Sequence, residues 1–429
     1  MKIQPKDRQY IKTAVGLLST REDLLALLNF SKRLLYGEKT VPFELKQLTW
    51  YANPGINKKR YTSFEIAKRT GGKRIIHAPV KGLKSLQYCL NLILGAVFEP
   101  HPAAMGFVSG RSVVANAAIH TNSKYVYNID LKDFFHSIDQ ARVWKCLQLP
   151  PFCIGQASEA LRRQAAELTP LLGFDMGAAL AGSKYEVVNV ISALCCAELP
   201  VEQLQEDNSI KVIRKNVLPQ GAPTSPVITN IICQRLDHLL TGVAKRFGLR
   251  YTRYADDITF SSSHFIYKTD SNFQKEIQRI IAQQGFQIKA SKTRLQHEAY
   301  RQEVTGLVVN QRVNVHVGYI KQLRMWLYNW ETYGYDKAGQ LFFQDQLRVS
   351  GQVKKGLPGM VLVLMGKLQY LKMVRGAEDS QYQQLYNRFH QLLLSISSRD
   401  KQLEDVLNTL LAKGIDEAMH LYQPLKPQP

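Results

Sequence analysis

Two adjacent acids, Asp256 and Asp257, end the tetrapeptide Tyr-Ala-Asp-Asp at residues 254–257. The segments TRY before them and ITF after them alternate in the period-two manner of half-buried strands, which predicts a hairpin with the acids at its tip. Paired carboxylates there could hold divalent cations, which prefer oxygen ligands. Acids are also common in turns that do no chemistry, because Asp favours turn conformations. The tetrapeptide alone leaves both interpretations open.

A third acid, Asp130, follows the strand-like segment YVYNI at residues 125–129. Phosphoryl transfer by two metal ions requires carboxylates from different strands that converge on ions about 3.5–4 Å apart. Asp130 and Asp256 are the expected pair, because their separation of 126 residues allows two strands to meet in one sheet. Asp257 would help as a secondary ligand or by shaping the local electric field. The alternative for Asp130 alone is a cap at the end of a strand.

The charge balance indicates a polyanionic partner. The 429 residues include 56 Lys and Arg against 35 Asp and Glu, a formal net charge of +21, and 45% of them are hydrophobic, as in a folded protein. Residues 1–150 hold 23 basic and 10 acidic side chains, so this third is expected to supply much of the phosphate-facing surface. A basic protein without such a ligand is the alternative.

The six cysteines form no C-x-x-C pair, and they are interpreted as small buried residues of a reducing compartment, with no structural zinc expected. The N-terminal segment does not resemble a signal peptide. The longest apolar runs, such as VLVLM at 361–365, are too short to span a bilayer. A cytoplasmic protein without a membrane partner is therefore expected.

Local patterns predict the elements that position these acids. Apolar spacing over residues 10–36 is typical of an amphipathic helix. Residues 60–80 are predicted to form two short strands joined at Gly71 and Gly72, and the segment that follows them is predicted to be helical. Lys68, Arg69, Lys73 and Arg74 make this hairpin basic.

Further along the chain, Ser225 is predicted to cap a long helix whose first residue is Pro226. The segment GFQIK at 285–289 is predicted to be a strand, and the chain after residue 310 is predicted to be mainly helical. Residues 151–183 are interpreted as an inserted helical element, either a partner-docking surface or a neutral insertion.

Four linked motifs resemble those of reverse transcriptases across residues 60–310: Asp130 with Phe135, LPQGAPTSP at 218–226, YADD and GFQIKASKT. Within that family the chain resembles the bacterial retron type. Two short tags, NAAIH at 116–120 and VTG at 304–306, carry that likeness.

The resemblance implies roles for residues near the three acids. It assigns nucleotide binding to Lys73, Arg74, Phe135, Gln220, Gly221 and Lys292. Phe135 would exclude a 2′-hydroxyl, and Lys73 and Arg74 would clamp the triphosphate. Gly221 would allow close backbone approach to the nascent base pair. Lys292 would donate a proton to the leaving pyrophosphate, with nearby Lys289 as the alternative.

The retron-like tags imply contact with RNA. The residues so assigned are Asn116, His120, Val304, Thr305 and Gly306. For His120, a satisfied structural histidine on a helical face is an equally good interpretation. The alternative for Phe135 is an ordinary core residue. The alternative for the basic hairpin is a solvated loop.

The expected fold is α+β, a right-hand polymerase with an antiparallel palm sheet flanked by helices. The predicted parts are an N-terminal helical extension (1–40), fingers (41–125), palm (126–310) and helical thumb (311–429). The resemblance implies an RNA-directed DNA polymerase with two Mg²⁺ ions. It would copy a dedicated noncoding RNA into RNA-linked DNA and act in anti-phage defence with a separate effector protein.

Three other functions stay open at the level of sequence. One is another bacterial reverse transcriptase, either defence-associated or of the group II intron type. Another is an RNA-dependent RNA polymerase, which the aromatic Phe135 disfavours. The third is a noncatalytic RNA-binding scaffold, which three retained carboxylates disfavour because like charges repel.

Overall fold

The helices and strands come from a computed structural model, which describes residues 3–56, 59–67, 72–156, 185–204, 209–350, 359–397 and 409. The chain divides into two compact units, Met1–Ile119 with Ser123–His297, and His120–Asn122 with Glu298–Pro429. The first unit carries all three aspartates singled out from the sequence. The domain limits at residues 40, 125 and 310 stay predictions.

The first unit mixes helices and strands. Its described helices are α1 (Pro5–Leu17), α2 (Arg21–Tyr36), α3 (Leu45–Ala52), α4 (Lys81–Val97), α5 (Val113–Ala118), α6 (Gln140–Leu147), α7 (Glu186–Cys195), α8 (Ser225–Arg246) and α9 (Asn272–Gln283). Its described strands are β1 (Tyr61–Ala67), β2 (Lys73–Pro79), β3 (Tyr125–Asp130), β4 (Ala197–Leu204), β5 (Ile210–Val217), β6 (Arg250–Tyr254), β7 (Asp257–Ser262) and β8 (Arg294–His297).

A four-stranded antiparallel sheet with the strand order β6-β7-β3-β8 lies at the centre of this unit. Helix α9 covers it through aromatic contacts. The Phe260 ring of β7 lies 5.1 Å from the Tyr251 ring of β6 and 5.2 Å from the Phe273 ring of α9, measured between centroids. Burying each such side chain contributes about 1.5–3 kcal/mol. The sheet is thereby a rigid support for the residues at its ends.

Two hairpins accompany the sheet. Strands β1 and β2 pair antiparallel from Tyr61 opposite Pro79 to Ala67 opposite Lys73, which confirms the predicted basic hairpin. Lys68, Arg69 and Gly71 lie outside the described residues. Strands β4 and β5 form the second hairpin. The inserted element predicted at 151–183 also lies outside the described residues, except for 151–156.

The prediction of one helix over residues 10–36 was wrong, because the chain forms α1 and α2 with a break between them. Thr20 caps α2: its side chain accepts from the Asp23 N–H at 3.1 Å, and the Asp23 carboxylate accepts from the Thr20 N–H at 2.9 Å. This reciprocal capping box fixes a helix start inside what looked like a continuous apolar pattern.

Two further local predictions need correction. Ser225 is the first residue of α8 and does not cap it, because its hydroxyl donates to the Pro219 carbonyl at 2.7 Å. The segment 285–289 is not a strand. It makes an isolated bridge between Ile288 and Leu131, and the Lys289 N–H donates to the Asp130 carbonyl at 2.8 Å. Residues 285–289 thus pair with the chain at the end of β3 over a short stretch and do not form a full β-ladder with it.

The second unit is mainly helical in its described part. It contains β9 (Glu303–Val304), β10 (Leu307–Val308), α10 (Val317–Ser350, interrupted at Gly334), α11 (Met360–Arg375) and α12 (Ser380–Ser397). Trp330 of α10 packs against Phe389 of α12 with ring centroids 5.9 Å apart, and Leu364 of α11 is fully buried. An α+β fold with an antiparallel sheet, flanking helices and a helical C-terminal part is therefore confirmed.

The cysteines meet the expectation of buried residues in part, because Cys146 and Cys153 are only half-buried. All six cysteines are free thiols, and Cys89, Cys195, Cys196 and Cys233 are buried. The run VLVLM lies within α11. Among the described residues, no helix combines the length and hydropathy needed to cross a bilayer.

Candidate active site

The three predicted aspartates meet at one end of the central sheet. Asp130, the last residue of β3, lies directly opposite Asp257, the first residue of β7. Directly opposed residues in an antiparallel ladder have Cα atoms about 4.5–5.5 Å apart and side chains on the same face. Asp256 belongs to the turn between β6 and β7, and its carbonyl accepts from the Leu131 N–H at 3.1 Å. The structure thus brings two adjacent acids at the tip of the hairpin next to a third acid from a distant part of the sequence.

The turn itself is two residues long, Ala255 and Asp256, between paired Tyr254 and Asp257. Ala255 has a φ of 56°, the left-handed conformation that tight hairpins require. A β-carbon in that region costs free energy, so the surrounding structure must hold the turn in place.

The electrostatic environment raises the pKa of both Asp256 and Asp257. For Asp256 the main cause is burial, and Asp130 adds to it while Lys292 and Arg74 oppose it. The pKa of Asp257 rises to about 6, first through desolvation of its carboxyl group and then through the charges of Asp256 and Asp130. Asp257 is exposed as a residue, so water screens part of this effect. Clustered negative charge of this kind is relieved by a cation.

Lys292 is the positive partner of Asp130. Its Nζ donates to Asp130 Oδ2 at 2.8 Å, and this hydrogen bond is the main reason why the pKa of Lys292 is raised. Lys289 approaches Asp130 only through its backbone N–H. Of the two lysines proposed from the sequence, Lys292 is the one whose side chain lies in the cluster.

Lys73 and Arg74 point in different directions because side chains alternate along a strand. Lys73 lies on one face of the hairpin, where its Nζ forms an ion pair with Glu65 at 2.6 Å. Arg74 shares the other face with Ile76 and is close enough to lower the pKa of Asp256. Arg74 therefore belongs to the aspartate cluster, and Lys73 does not reach it here.

Gly221 is required by the basic hairpin. Its φ is 126°, and a β-carbon there would lie 2.8 Å from both the His77 carbonyl oxygen and Ile76 Cγ2. The His77 N–H donates to the Gln220 carbonyl at 2.8 Å. The loop containing Gln220 thus holds β2 in place within the first unit. This close approach is a structural reason for the glycine that sequence reasoning did not identify.

Phe135 is half-buried beside the end of β3. Its ring lies 5.6 Å from the Phe134 ring and 6.3 Å from the Phe107 ring, between centroids. One side of the ring therefore packs on the core. The ring is only partly buried, and its role in sugar selection stays a prediction.

Sequence reasoning missed a buried ion pair behind the turn. Arg253 and Asp237 are both fully buried and paired through two hydrogen bonds, Nε to Oδ1 at 2.8 Å and Nη2 to Oδ2 at 2.7 Å. Arg253 Nη1 also donates to the Ala255 carbonyl at 3.1 Å. The pair holds the turn from beneath. Helical spacing from Cys233 through Asp237 to Leu240 places this acid on the buried face of α8, a signal that could have revealed it.

A second missed support is the segment before α5. Gly106 lies against the turn so closely that a β-carbon would be 2.6 Å from the Ala255 nitrogen. The Met105 N–H donates to the Arg253 carbonyl at 2.7 Å, and the Asn230 side chain donates to the Gly106 carbonyl at 3.0 Å. This segment therefore fixes the outer side of β6.

The residues assigned to RNA have structural surroundings of their own. Asn116 of α5 and His120 are buried, with 1% and 0% exposure, so neither side chain presents a surface to RNA in this structure. Thr305 and Gly306 form the tight turn between β9 and β10, with φ of 49° and 79°, and Val304 is buried. Two positive φ values in a two-residue loop favour glycine at the second position. The VTG tag thus has a structural explanation, and its RNA role stays a prediction.

The donor set fits a hard divalent cation, because three carboxylates and no thiolate or imidazole compose it. In the described part of the chain no group of three or more His, Cys, Asp or Glu side chains is already drawn together as metal ligands. The Lys292 Nζ lies 2.8 Å from Asp130 Oδ2. The pKa values of Asp256 and Asp257 are nevertheless raised, first by burial and then by the neighbouring carboxylates, and a cation would stabilise the charged forms.

Comparisons with known proteins agree with this geometry. The family described as reverse transcriptase (RNA-dependent DNA polymerase) matches residues 58–316. The chain is 34% identical to the retron Mx162 reverse transcriptase of Myxococcus xanthus over 63% of this chain and 52% of that protein. It is 32% identical to the retron Mx65 reverse transcriptase of the same organism, over 71% of this chain and 62% of that protein. The chain is 30% identical to the retron Ec86 reverse transcriptase of Escherichia coli, over 59% of this chain and 64% of that protein.

The chain thus spans between half and two thirds of the length of these relatives. The solved structure of telomerase from Candida albicans with a fragment of telomeric RNA also aligns with this chain. The alignment covers 83% of this chain and 66% of the telomerase chain. Its TM-score of 0.38 and identity of 12% are too low to bear on function. Because the family match covers more than half of the chain, the protein belongs to the reverse transcriptase family, and its resemblance to the bacterial retron type is confirmed.

Proposed function

We propose that the protein is an RNA-directed DNA polymerase that copies a dedicated structured noncoding RNA into single-stranded DNA linked to that RNA. The observation that carries this proposal is the register of the central sheet, which sets Asp130 opposite Asp257 with Asp256 in the adjoining turn. The similarity to retron reverse transcriptases supports the choice of template and product.

Asp130 and Asp256 would hold two Mg²⁺ ions, and Asp257 would adjust the charge beside them. When bound, such ions activate the attacking 3′-oxygen and neutralise charge on the triphosphate. The buried ion pair of Arg253 and Asp237 keeps the turn in position, so the carboxylates need little reorganisation.

Arg74 is the stronger candidate for contact with the triphosphate, because it shares the aspartate side of the hairpin. Its planar guanidinium can bind phosphate oxygens in a bidentate manner. Lys73 is exposed, and its surface ion pair with Glu65 is weak enough to exchange for a phosphate. Gln220 and Gly221 would contribute by holding the hairpin in place.

Lys292 would act as the general acid. Its hydrogen bond to Asp130 raises its pKa, so it stays protonated at neutral pH and has a proton to give to the leaving pyrophosphate. Rearrangement of Asp130 toward a cation would free the ammonium group for this transfer.

Phe135 would select deoxyribonucleotides by occupying the space that a 2′-hydroxyl needs. We expect Phe135→Ala to lower the preference for dNTPs over rNTPs by at least about tenfold, the effect of a contact of about 1.4 kcal/mol. Single-nucleotide incorporation on an RNA template measures the preference. An unchanged preference would favour an ordinary core role for the ring.

The remaining parts of the proposal concern partners. Template and primer would come from the noncoding RNA, and Asn116, His120, Val304, Thr305 and Gly306 would each support its binding through the segment they belong to. A separate effector protein would complete an anti-phage defence system in the cytoplasm. The excess of positive charge in residues 1–150 supports an RNA partner.

The direct test is a double variant, Asp256→Asn with Asp257→Asn, assayed for RNA-templated incorporation of dNTPs. We expect incorporation to be abolished and RNA affinity to persist, because the change removes two charges and alters no volume. Synthesis at the wild-type rate would place the active site elsewhere.

Sequencing the nucleic acid that co-purifies with the wild-type protein separates the retron function from its rivals. A DNA strand covalently joined to a structured RNA supports the proposal. A homopolymer made without a template would instead support a different class of defence-associated reverse transcriptase.

A further inference from the structure

A cavity of about 460 Å³ lies in the first unit among α2, α3 and the start of α4. None of the residues assigned to the polymerase reaction lines it. The residues that line it include three lysines and three aromatic residues: Lys32, Lys46, Lys81, Phe43, Trp50 and Tyr51. The cavity therefore belongs to the most basic third of the chain but lacks a role in the chemistry proposed above.

The charge of the cavity favours an anion. No Asp or Glu lines it, and within the described residues no carboxylate forms an ion pair with its three lysines. Lys46 and Lys81 are exposed. Lys32 is held in place, since its Nζ donates to the Val41 carbonyl at 2.6 Å and lies 3.8 Å from the centre of the Phe43 ring. Accessible lysines without acidic partners are suited to contact with phosphates.

The aromatic residues add a surface for a flat apolar group. Trp50 is 47% exposed although it is the largest side chain of the lining. Tyr51 lies over Gly82, where a β-carbon would overlap its hydroxyl group. The absence of a side chain at Gly82 thus makes room for the tyrosine. An exposed indole beside lysines is suited to stacking with a nucleobase.

The same pattern continues along the surface of α4. Lys81, Lys84 and Tyr88 lie on one face at helical spacing, and Lys84 Nζ is 5.9 Å from the centre of the Tyr88 ring. Tyr88 is 42% exposed and neighbouring Tyr36 is 52% exposed. The positive charges and aromatic rings continue outside the cavity along α4. A polynucleotide strand could contact all of them with its phosphates and bases, whereas a small molecule would fill the cavity alone.

We propose that this cavity and the adjoining face of α4 form a second binding site for single-stranded nucleic acid, separate from the aspartate cluster. A base stacks on Trp50, and consecutive phosphates lie at Lys46, Lys81 and Lys84. Such a site would anchor an unpaired segment of the template RNA while the polymerase site copies another.

Two variants of the full chain test the site: Trp50→Ala, and Lys46→Gln combined with Lys81→Gln. The probe is a fluorescent single-stranded 12-nucleotide RNA followed by anisotropy, a length chosen to be about that of one stacking groove. We expect Trp50→Ala to weaken binding at least about fivefold, as loss of one stacked base does. Trp50→Phe retains a ring and is expected to keep most of the affinity.

The lysine variant has a separate signature. Removing two phosphate contacts is expected to make the slope of log K against log salt shallower by about 1.4, since each contact to a single strand contributes about 0.7. Lys268→Gln with Lys275→Gln, two exposed lysines of the same unit outside the cavity, is the matched control and should leave the slope unchanged.

Extension of a short pre-annealed primer–template by each variant separates this proposal from the proposed function. At saturating duplex, rates within about twofold of wild type are expected, since the cavity lies outside the reaction centre. RNA affinity and salt slope equal to wild type in both variants would overturn the second site. Weakened binding of ATP with undiminished binding of the 12-mer would overturn it too, by assigning the cavity to a free nucleotide.

Discussion

Protonation of the aspartate cluster is set by burial and mutual repulsion. The pKa of Asp257 is about 6, so the group holds a proton below that pH and is charged above it. A cation must displace that proton, and its affinity therefore falls as the pH falls through 6. The three acids could be identified from sequence because each follows a recognisable strand pattern. Their shifted pKa values could not, because these depend on distances between strands.

We predict that Mn²⁺ or Mg²⁺ binds the wild-type protein at least about tenfold more weakly near pH 5 than near pH 7.5, because protons compete for the carboxylates. Isothermal titration calorimetry at the two pH values measures this. Asp257→Asn should lose much of the dependence, since Asn does not titrate. Equal affinity at both pH values in the wild-type protein would contradict the assigned cluster.

The buried pair of Arg253 and Asp237 yields a prediction about stability. Asp237→Asn leaves the guanidinium buried without its counter-charge, and the free energy of unfolding is expected to fall by about 3–5 kcal/mol. Denaturant unfolding measures the change. Replacing both residues, Asp237→Leu with Arg253→Met, should recover much of the stability but not polymerisation, because the hydrogen bond to the Ala255 carbonyl is still missing.

At the scale of elements, the strands around the acids were predictable and their supports were not. The hairpin of β6 and β7 follows from alternation and a two-residue turn. The segment 285–289 has the same apolar alternation but forms only one isolated bridge, from Ile288 to Leu131 just after β3, because register and pairing depend on the neighbouring chain. The interruption between α1 and α2 depended on a capping box at Thr20 that the apolar periodicity concealed.

Gly221 tests whether the basic hairpin must stay docked. Gly221→Ala introduces backbone strain of about 1–3 kcal/mol and a β-carbon 2.8 Å from the His77 carbonyl oxygen. We expect lower thermal stability and a KM for dNTPs raised by about tenfold, since about 1.4 kcal/mol of binding would be lost as Arg74 moves away.

The matched control is Gly95→Ala in α4, an exposed helical glycine with nothing within 4 Å of an added β-carbon. It should stabilise the protein by about 0.5–1 kcal/mol and leave the KM unchanged. A Gly221→Ala protein with wild-type stability and KM would show that β2 does not depend on this contact.

At the scale of the molecule, family and fold class were predictable because four motifs lie in a fixed order. The right-hand polymerase of fingers, palm and thumb is the fold expected of that family, and the antiparallel sheet with a helical C-terminal part agrees with it. The limits of the three parts stay predictions, because sequence patterns mark elements better than the boundaries between packed units. Composition alone indicated the polyanionic partner.

The net charge of +21 leads to a prediction about RNA binding. If RNA contacts about six phosphates, log K should fall with log salt with a slope near −4, because each contact to a single strand contributes about −0.7. Binding measured by anisotropy across a range of salt concentrations provides the slope. A flat response would contradict an electrostatic groove.

The most direct measurement of the central claim is single-turnover incorporation of one dNTP on an RNA template by Asp130→Asn. The control is Asp133→Asn, an exposed acid three residues away with a φ of 45° that Asn tolerates well. Both variants are expected to bind RNA as tightly as the wild-type protein. The assigned role then predicts that the incorporation rate of Asp130→Asn falls at least about a thousandfold, roughly 4 kcal/mol, and that the rate of Asp133→Asn does not fall. An Asp130→Asn protein that incorporates the nucleotide within tenfold of the wild-type rate would contradict it.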